Sequence, residues 1–184
     1  MSVPVGKRGV SKMEFFHLAH KLNREMTMLL IRDFGIKSIS RDLKSFCHSA
    51  KMTEEDRTAY IGLCQKYHID VEADWPLWLI EHYRNWILQI LRSLIDNITS
   101  ANTIYPAPPD FDYWHNLRKK YQKEAQADCN KLLKAVQLIS EIAPVKKEKL
   151  LPYIELIEKE IGAIKAWQKN TNRQRANYIK SLEQ

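Results

Sequence analysis

Four segments of the chain carry apolar residues at the three- and four-residue spacing of an amphipathic helix. Each apolar stripe is about one face wide, which is the width that a helix needs to join a shared core. The stripe of the third segment is assigned to Tyr113, Leu117, Tyr121, Ala125 and Cys129. The pattern predicts long helices over about 11–34, 75–103, 110–142 and 151–170.

Local signals agree with these bounds. Ser11 and Glu14 have the spacing of a capping box, and Gly35 is a plausible stop for the first helix. The second helix ends before the proline-rich run 105–109, because proline cannot continue a helix. Residues 36–74 contain shorter helical patterns, over 40–50 and after Thr53, and are predicted to form a helical insert.

These elements predict an all-α protein, an antiparallel four-helix bundle over 11–170 with the helical insert 36–74 between its first two helices. A flexible basic arm, 1–10, precedes the bundle, and a basic tail, 171–184, follows it as a frayed continuation or a disordered end.

Composition narrows the class of protein. Five glycines and seven prolines are too few for an all-β sandwich or barrel. Cys47, Cys64 and Cys129 have no C-x-x-C spacing, which fits plain thiols in a reducing cytoplasm and no zinc site. No apolar run reaches the roughly 18 residues of a membrane span. We therefore expect a cytoplasmic protein that does not cross a membrane.

Two short motifs raise a metal hypothesis. Helical bundles host di-metal sites built from E-x-x-H motifs and further carboxylates. Glu14-x-x-His17 matches once, and Asp112-x-x-His115 is a loose second match. Both motifs fall in first helical turns, where carboxylates favour the helix dipole, and no inward glutamate is evident on the other stripes. We therefore expect solvated helix ends, with no metal and no cofactor.

Candidates for catalysis are equally sparse. Cys129 lies on the apolar stripe of the third helix, so a buried core thiol is expected there. Glu158 and Glu160 point to different sides of one helix, and solvated pairs with Lys or Arg are expected for them. The sequence therefore predicts a protein that is not an enzyme.

Charge is the more informative property. The chain has 29 basic and 22 acidic residues, for a net charge of +7. The excess lies in the arm, at the start of the third helix and in the tail, where the cluster around Arg118 is expected on an exposed flank. A basic surface favours anionic partners such as nucleic acid. The alternative is that these charges only face solvent and bind no partner. The basic residues that stand out are Lys7, Arg8, Arg118, Lys119, Lys120, Lys123, Lys165, Lys169, Arg173 and Arg175.

Tryptophan is the other unusual feature, with residues at 75, 78, 86, 114 and 167. Trp167 and Trp86 fit positions at the edge of a core. Trp75 and Trp78 flank the insert and could cover it or face a partner, since exposed aromatic residues mark interfaces more often than catalytic sites.

Four segments resemble a known family. The arm and first helix (3–22), the end of the second helix (96–106), the third helix (117–133) and the end of the fourth (164–169) are similar to Avd, the accessory variability determinant of diversity-generating retroelements. The chain departs from that family at 36–79, where the family usually has a short loop.

The resemblance implies a non-catalytic partner of a reverse transcriptase. It implies a basic, barrel-like homo-oligomer, a pentamer by family expectation, that binds the polymerase and the template RNA or cDNA and supports mutagenic cDNA synthesis. Carried over by position, the implied contacts also include Arg84. The competing interpretation is a protein-interaction module similar to the bundles encoded in ribosomal intervening sequences, without nucleic-acid binding.

Overall fold

The computed structural model describes residues 13–32, 34, 53–67, 77–142, 145 and 147–183. All regular elements in these ranges are helices, so the all-α prediction is confirmed for them. A single 3₁₀ turn, Lys147–Lys149, precedes the last helix. The α-helices are α1 (Glu14–Ile31), α2 (Glu54–Lys66), α3 (Leu77–Thr103), α4 (Phe111–Ile142) and α5 (Leu151–Leu182).

The predicted bounds hold best for α3 and α4, each within two residues. The first helix is shorter than predicted, since α1 covers Glu14–Ile31. The tail prediction is wrong, because α5 continues unbroken to Leu182. The predicted cap Ser11, the stop Gly35, the arm 1–10 and the segment 40–50 lie outside the described residues.

The helix α2 starts where the sequence predicts it. The Thr53 hydroxyl accepts a hydrogen bond from the Asp56 backbone N–H at 3.2 Å, which satisfies a donor that the helix itself leaves open. Cys64 is the buried residue of α2, and the rest of the helix is exposed or half-buried. A surface helix of this kind has little core to contribute.

The four long helices pack around one hydrophobic core. Helix α3 packs on α4, α4 on α5, α5 on α1, and α1 on α3. Each of them supplies fully buried aliphatic side chains to the same cluster, including Leu22, Leu94, Leu132 and Ile164. Burial of this apolar surface is the main favourable contribution to folding.

Two specific contacts fix neighbouring helices. Phe15 of α1 stacks on Trp167 of α5, with ring centroids 3.8 Å apart. Asp128 of α4 is buried and accepts hydrogen bonds from Ser93 (2.7 Å) and Asn97 (2.9 Å) of α3. The Lys131 ammonium also lies 2.7 Å from the Asp128 carboxylate. A buried carboxylate with this many donors ties α3 to α4 without an unsatisfied charge.

The first half of α4 corrects the predicted apolar stripe. Tyr113, which was assigned to it, is 61% exposed. The buried positions are instead Phe111, His115, Arg118 and Gln122, of which three are polar. The apolar pattern failed there because this part of α4 packs mainly on polar residues of α5.

We expect the core to be sensitive to truncation at Leu94, which is fully buried in α3. Leu94→Ala should lower the free energy of unfolding by about 2–5 kcal/mol, because it removes buried methyl groups and leaves a cavity. Leu88→Ala on the same helix is the control, since Leu88 is 39% exposed. Urea denaturation followed by circular dichroism measures both, and equal losses would contradict the described core.

Candidate nucleic-acid interface

The beginning of α4 and the end of α5 pair with each other. The rings of Phe111 and Tyr178 stack with centroids 4.0 Å apart. The Arg175 Nε lies 2.8 Å from the Asp112 carboxylate. From residue 172 to residue 182 of α5 only Tyr178 is half-buried, and the other side chains are exposed. These two helix ends therefore form one end of the molecule with a large solvent-facing surface.

This end carries the excess charge of the protein, and we call it the basic end, residues 111–123 of α4 and 165–182 of α5. The first range contains four basic residues and one acidic residue, and the second contains five basic residues and no acidic one. The rest of the chain has 20 basic and 21 acidic residues. The net charge of +7 is therefore a property of this one end.

On α5 the basic side chains form a stripe. At about 100° per residue, Lys165, Lys169, Arg173 and Lys180 fall within about 80° of arc. All four side chains are exposed. The buried residues Ile164, Trp167 and Thr171 lie on the opposite side of the helix. The stripe therefore points away from the core. A polyanion such as nucleic acid could contact all four side chains there.

On α4 the basic residues lie on two edges of the outer face. Lys119 is half-buried, and Lys120 and Lys123 are exposed. The Lys120 ammonium is 3.9 Å from the Glu124 carboxylate, which is a long, exposed pair of the kind that contributes little to stability. These three ammonium groups remain accessible to solvent.

The expectation that Arg118 is exposed is wrong. Arg118 is 8% exposed, and its guanidinium lies over the Trp167 ring, 5.4 Å from the centroid. Its Nη1 is 3.5 Å from the Gln174 side-chain oxygen. A guanidinium packs well on an aromatic face because the ring quadrupole attracts the cation. Arg118 therefore joins α4 to α5 and supports the basic end from inside.

Hydrogen bonds beside Arg118 order the same interface. The Gln122 amide donates to the Thr171 hydroxyl at 2.9 Å, and that hydroxyl donates to the Trp167 carbonyl at 3.2 Å. The Gln168 amide reaches the Gln122 carbonyl and the Gln126 side chain, each at 3.2 Å. Buried polar contacts with defined geometry fix the register of two helices better than apolar packing alone.

The remaining predicted contacts are not brought to this end. Arg84 is half-buried in α3, and it precedes Asn97 by 13 residues, about 20 Å along the helix axis. Residues 104–110 join the end of α3, Thr103, to residues 111–123, and Arg84 precedes Thr103 by 19 residues, about 28 Å along the axis, so it lies near the other end of α3. Lys7 and Arg8 lie outside the described residues. Helix α1 itself begins beside Trp167, at the base of the basic end.

The sequence missed two features of this end. Lys180 completes the α5 stripe, and its place was hidden because the tail was not assigned to a continuous helix. Tyr113 and Trp114 are exposed, and their rings meet edge to face with centroids 4.9 Å apart. The four-residue spacing of Tyr113, Leu117 and Tyr121 resembled a core stripe, but this spacing drifts by about 40° per step, which leaves Tyr113 about 160° around α4 from the buried Cys129.

The expected solvated pairs for Glu160 are also wrong. Glu160 is completely buried, and within the described part of the chain neither carboxylate oxygen has a hydrogen-bond partner. Burial, with a smaller contribution from the Glu14 carboxylate, raises the pKa of Glu160 from 4.5 to about 8. An isolated charge in this position would be costly, so the side chain is neutral at neutral pH. Glu158 is exposed, as expected.

The described residues offer little for metal binding or catalysis. No group of three or more His, Cys, Asp or Glu side chains among residues 13–32, 53–67, 77–142 and 147–183 could hold a metal ion. Burial, followed by the Glu160 and Asp128 carboxylates, raises the pKa of the Cys129 thiol, which opposes formation of the nucleophilic thiolate. Burial also lowers the pKa of His115.

None of the described helices combines the length and the apolar character that a membrane span requires. Comparison with protein-family models, with curated proteins and with solved structures gives no match.

The buried Glu160 carboxyl makes stability depend on pH. The folded state keeps the proton up to about pH 8, whereas an ordinary glutamate releases it near 4.5. The folded protein therefore binds more protons between these values, and its stability falls as pH rises through them. Glu160→Gln should match the original protein near pH 5 and exceed it at pH 8 by a few kcal/mol, at about 1.4 kcal/mol per pKa unit.

Denaturant unfolding of Glu160→Gln at several pH values measures this difference. Glu158→Gln, an exposed neighbour on the same helix, is the control and should follow the original protein throughout. A gap between Glu160→Gln and the original protein that stays constant from pH 5 to pH 8 would contradict the assignment.

Proposed function

We propose that this protein is a non-catalytic, nucleic-acid-binding accessory of a reverse transcriptase, acting in the cytoplasm. The observation that carries the proposal is the basic end, whose two paired helices contain one acidic residue and nine basic residues, of which Arg118 alone is buried. Phosphate contacts supply most of the affinity in sequence-independent nucleic-acid binding, and they need ammonium and guanidinium groups on an accessible, ordered surface.

We also propose that the four long helices form an antiparallel bundle and that α2 belongs to an insert between α1 and α3. Pairs between α4 and α5 support this direction, because Phe111 meets Tyr178 whereas Gln122 meets Thr171 further along α4. The seven residues 104–110 between α3 and α4 favour an antiparallel pair as well.

An antiparallel arrangement explains why the basic residues meet. The first turns of α4 and the last turns of α5 are about 65 residues apart in sequence and fall at the same end. The helix α1 begins at that end too, where Phe15 stacks on Trp167.

The reverse-transcriptase partner and the homo-oligomer rest on the resemblance of the four segments to Avd-type proteins. Within the proposal the protein holds template RNA or cDNA through phosphate contacts, and it binds the polymerase through other surfaces. The role is architectural, since the buried Cys129 thiol and the buried Glu160 carboxyl are poorly suited to chemistry on a substrate.

Charge reversal at the outer face of α4 should weaken RNA binding. The triple variant Lys119→Glu, Lys120→Glu and Lys123→Glu removes three accessible ammonium groups and introduces repulsion. We expect affinity for RNA to fall at least about tenfold at physiological salt, and the slope of log affinity against log salt to decrease by about 2. Arg118 is left unchanged because its substitution would disturb packing on Trp167. Fluorescence anisotropy with labelled RNA measures both quantities.

A matched control makes this test specific. Lys21, Lys149 and Lys159 line a groove between α1 and the beginning of α5, away from the basic end. Their reversal to Glu changes the net charge by the same amount. If both triple variants lose affinity equally, the net charge alone determines binding and the proposed location is contradicted.

Affinity capture of the tagged protein from its native host tests the polymerase partner. We expect a reverse transcriptase to be recovered with and without nuclease treatment. Recovery without nuclease only would mean that RNA bridges the two proteins. Absence of the polymerase in both samples, together with absence of RNA binding, would favour the interaction module of the intervening-sequence type instead.

A further inference from the structure

The basic end carries exposed aromatic rings beside its ammonium groups. Tyr113 is 61% exposed and Trp114 is 39% exposed, although both belong to the first turn of α4. Tryptophan and tyrosine rings are costly to leave in water, so two adjacent exposed rings mark a surface that a ligand covers. The rings meet edge to face at 4.9 Å, so their orientation is defined before any ligand arrives.

The position of the rings relative to the charges is specific. Tyr113 and Lys120 are seven residues apart, so they lie on the same edge of α4, about 10 Å from each other along the axis. Lys123 follows on the same outer face, and all three side chains are exposed. A strand whose bases reach Tyr113 therefore meets ammonium groups about two and three helical turns further on.

We propose that the basic end binds single-stranded nucleic acid, whose unpaired bases stack on Tyr113 and Trp114 while its phosphates contact Lys120 and Lys123. This inference rests on the proposed nucleic-acid binding and names the class of ligand. Aromatic platforms beside a basic track are how proteins hold single strands without sequence preference, because every base has a π-face. In a duplex the base faces are already stacked, so the rings would gain nothing from it.

The local charges fit this assignment. Asp112, the acidic residue within 111–123, is paired with Arg175 at 2.8 Å. Its carboxylate is therefore partly neutralised by a residue of α5. Asp112 also lies about 100° around α4 from Tyr113. The aromatic edge is left with the positive charge of Lys120 and its exposed partner Glu124.

Substitution of the two rings tests the inference. The double variant Tyr113→Ala and Trp114→Ala should lose about fivefold to a hundredfold in affinity for an unstructured single-stranded RNA, since stacking contributes this much per base. Its affinity for a duplex RNA of equal length should be unchanged. The double variant Tyr113→Phe and Trp114→Phe should retain single-strand binding, because it keeps both π-faces.

The control is Tyr67→Ala, which removes a ring with nearly the same exposure, 62%, from the residue that follows α2. It should leave both affinities unchanged. Circular dichroism of each variant should match the original protein, since the substituted side chains are exposed. Fluorescence anisotropy measures the affinity for three probes: the single strand, the duplex and a single strand of abasic nucleotides. The original protein and the alanine variant should bind the abasic strand with equal affinity, because it has no bases to stack on the rings.

Three outcomes overturn the inference. Equal losses for the single strand and the duplex would mean that the rings do not read unpaired bases. Unchanged single-strand binding with loss of polymerase recovery would assign the rings to a protein partner. Both results leave the proposed nucleic-acid binding intact. Failure of the original protein to bind any of the three probes would overturn the proposed function and this inference together.

Discussion

The pairing of α4 with α5 is the interaction on which the rest of the structure depends. Both helices have 32 residues, whereas α1 has 18 and α3 has 27. A core shared by four helices can extend only as far as its shorter members. Beyond that limit, among the residues that the structure describes, α4 and α5 pack on each other, and their outer faces can carry charge without cost to the core. The basic end is a consequence of this difference in length.

The interface between the two helices is polar where it supports that end. Arg118 lies over Trp167, and Gln122 and Thr171 are hydrogen-bonded in the interior. An apolar seam would also hold two helices together, but it would tolerate sliding by a turn. Fixed register matters for a binding surface made from two helices, because a slip of one turn would move Lys119 and Lys123 relative to the α5 stripe. The buried Glu160 lies closer to the core, where its uncharged carboxyl has no hydrogen-bond partner among the described residues.

Much of the fold follows from helical periodicity alone. The bounds of α3 and α4 and the cap at Thr53 follow from local rules that involve a few neighbouring residues. The failures at Tyr113, Arg118 and Glu160 differ in cause. A constant four-residue spacing drifts by about 40° per step, so the stripe assigned to α4 placed Tyr113 about 160° away from Cys129. Arg118 and Glu160 are polar residues at buried positions, and their environments depend on which helix lies opposite rather than on local sequence. Periodicity assigns a face to a residue, but it does not state what covers that face.

The sequence predicts which basic residues belong to the candidate site better than it predicts how they are arranged. The clusters 118–123 and 165–175 are evident from the sequence, because clustered basic residues can be counted along the chain without a structure. That they lie at one end, that Arg118 supports it from inside and that Lys180 extends it are results of tertiary packing. Arg84 illustrates the converse, since its position on α3 separates it from the other basic residues despite the same charge.

The central claim is that nucleic acid is held at the basic end, and photochemical cross-linking tests it most directly. RNA containing a photoreactive uridine would be cross-linked to the full chain and the modified peptides identified by mass spectrometry. The account predicts cross-links concentrated in residues 111–123 and 165–182. Cross-links confined to α2, or to the groove between α1 and the start of α5, would contradict it.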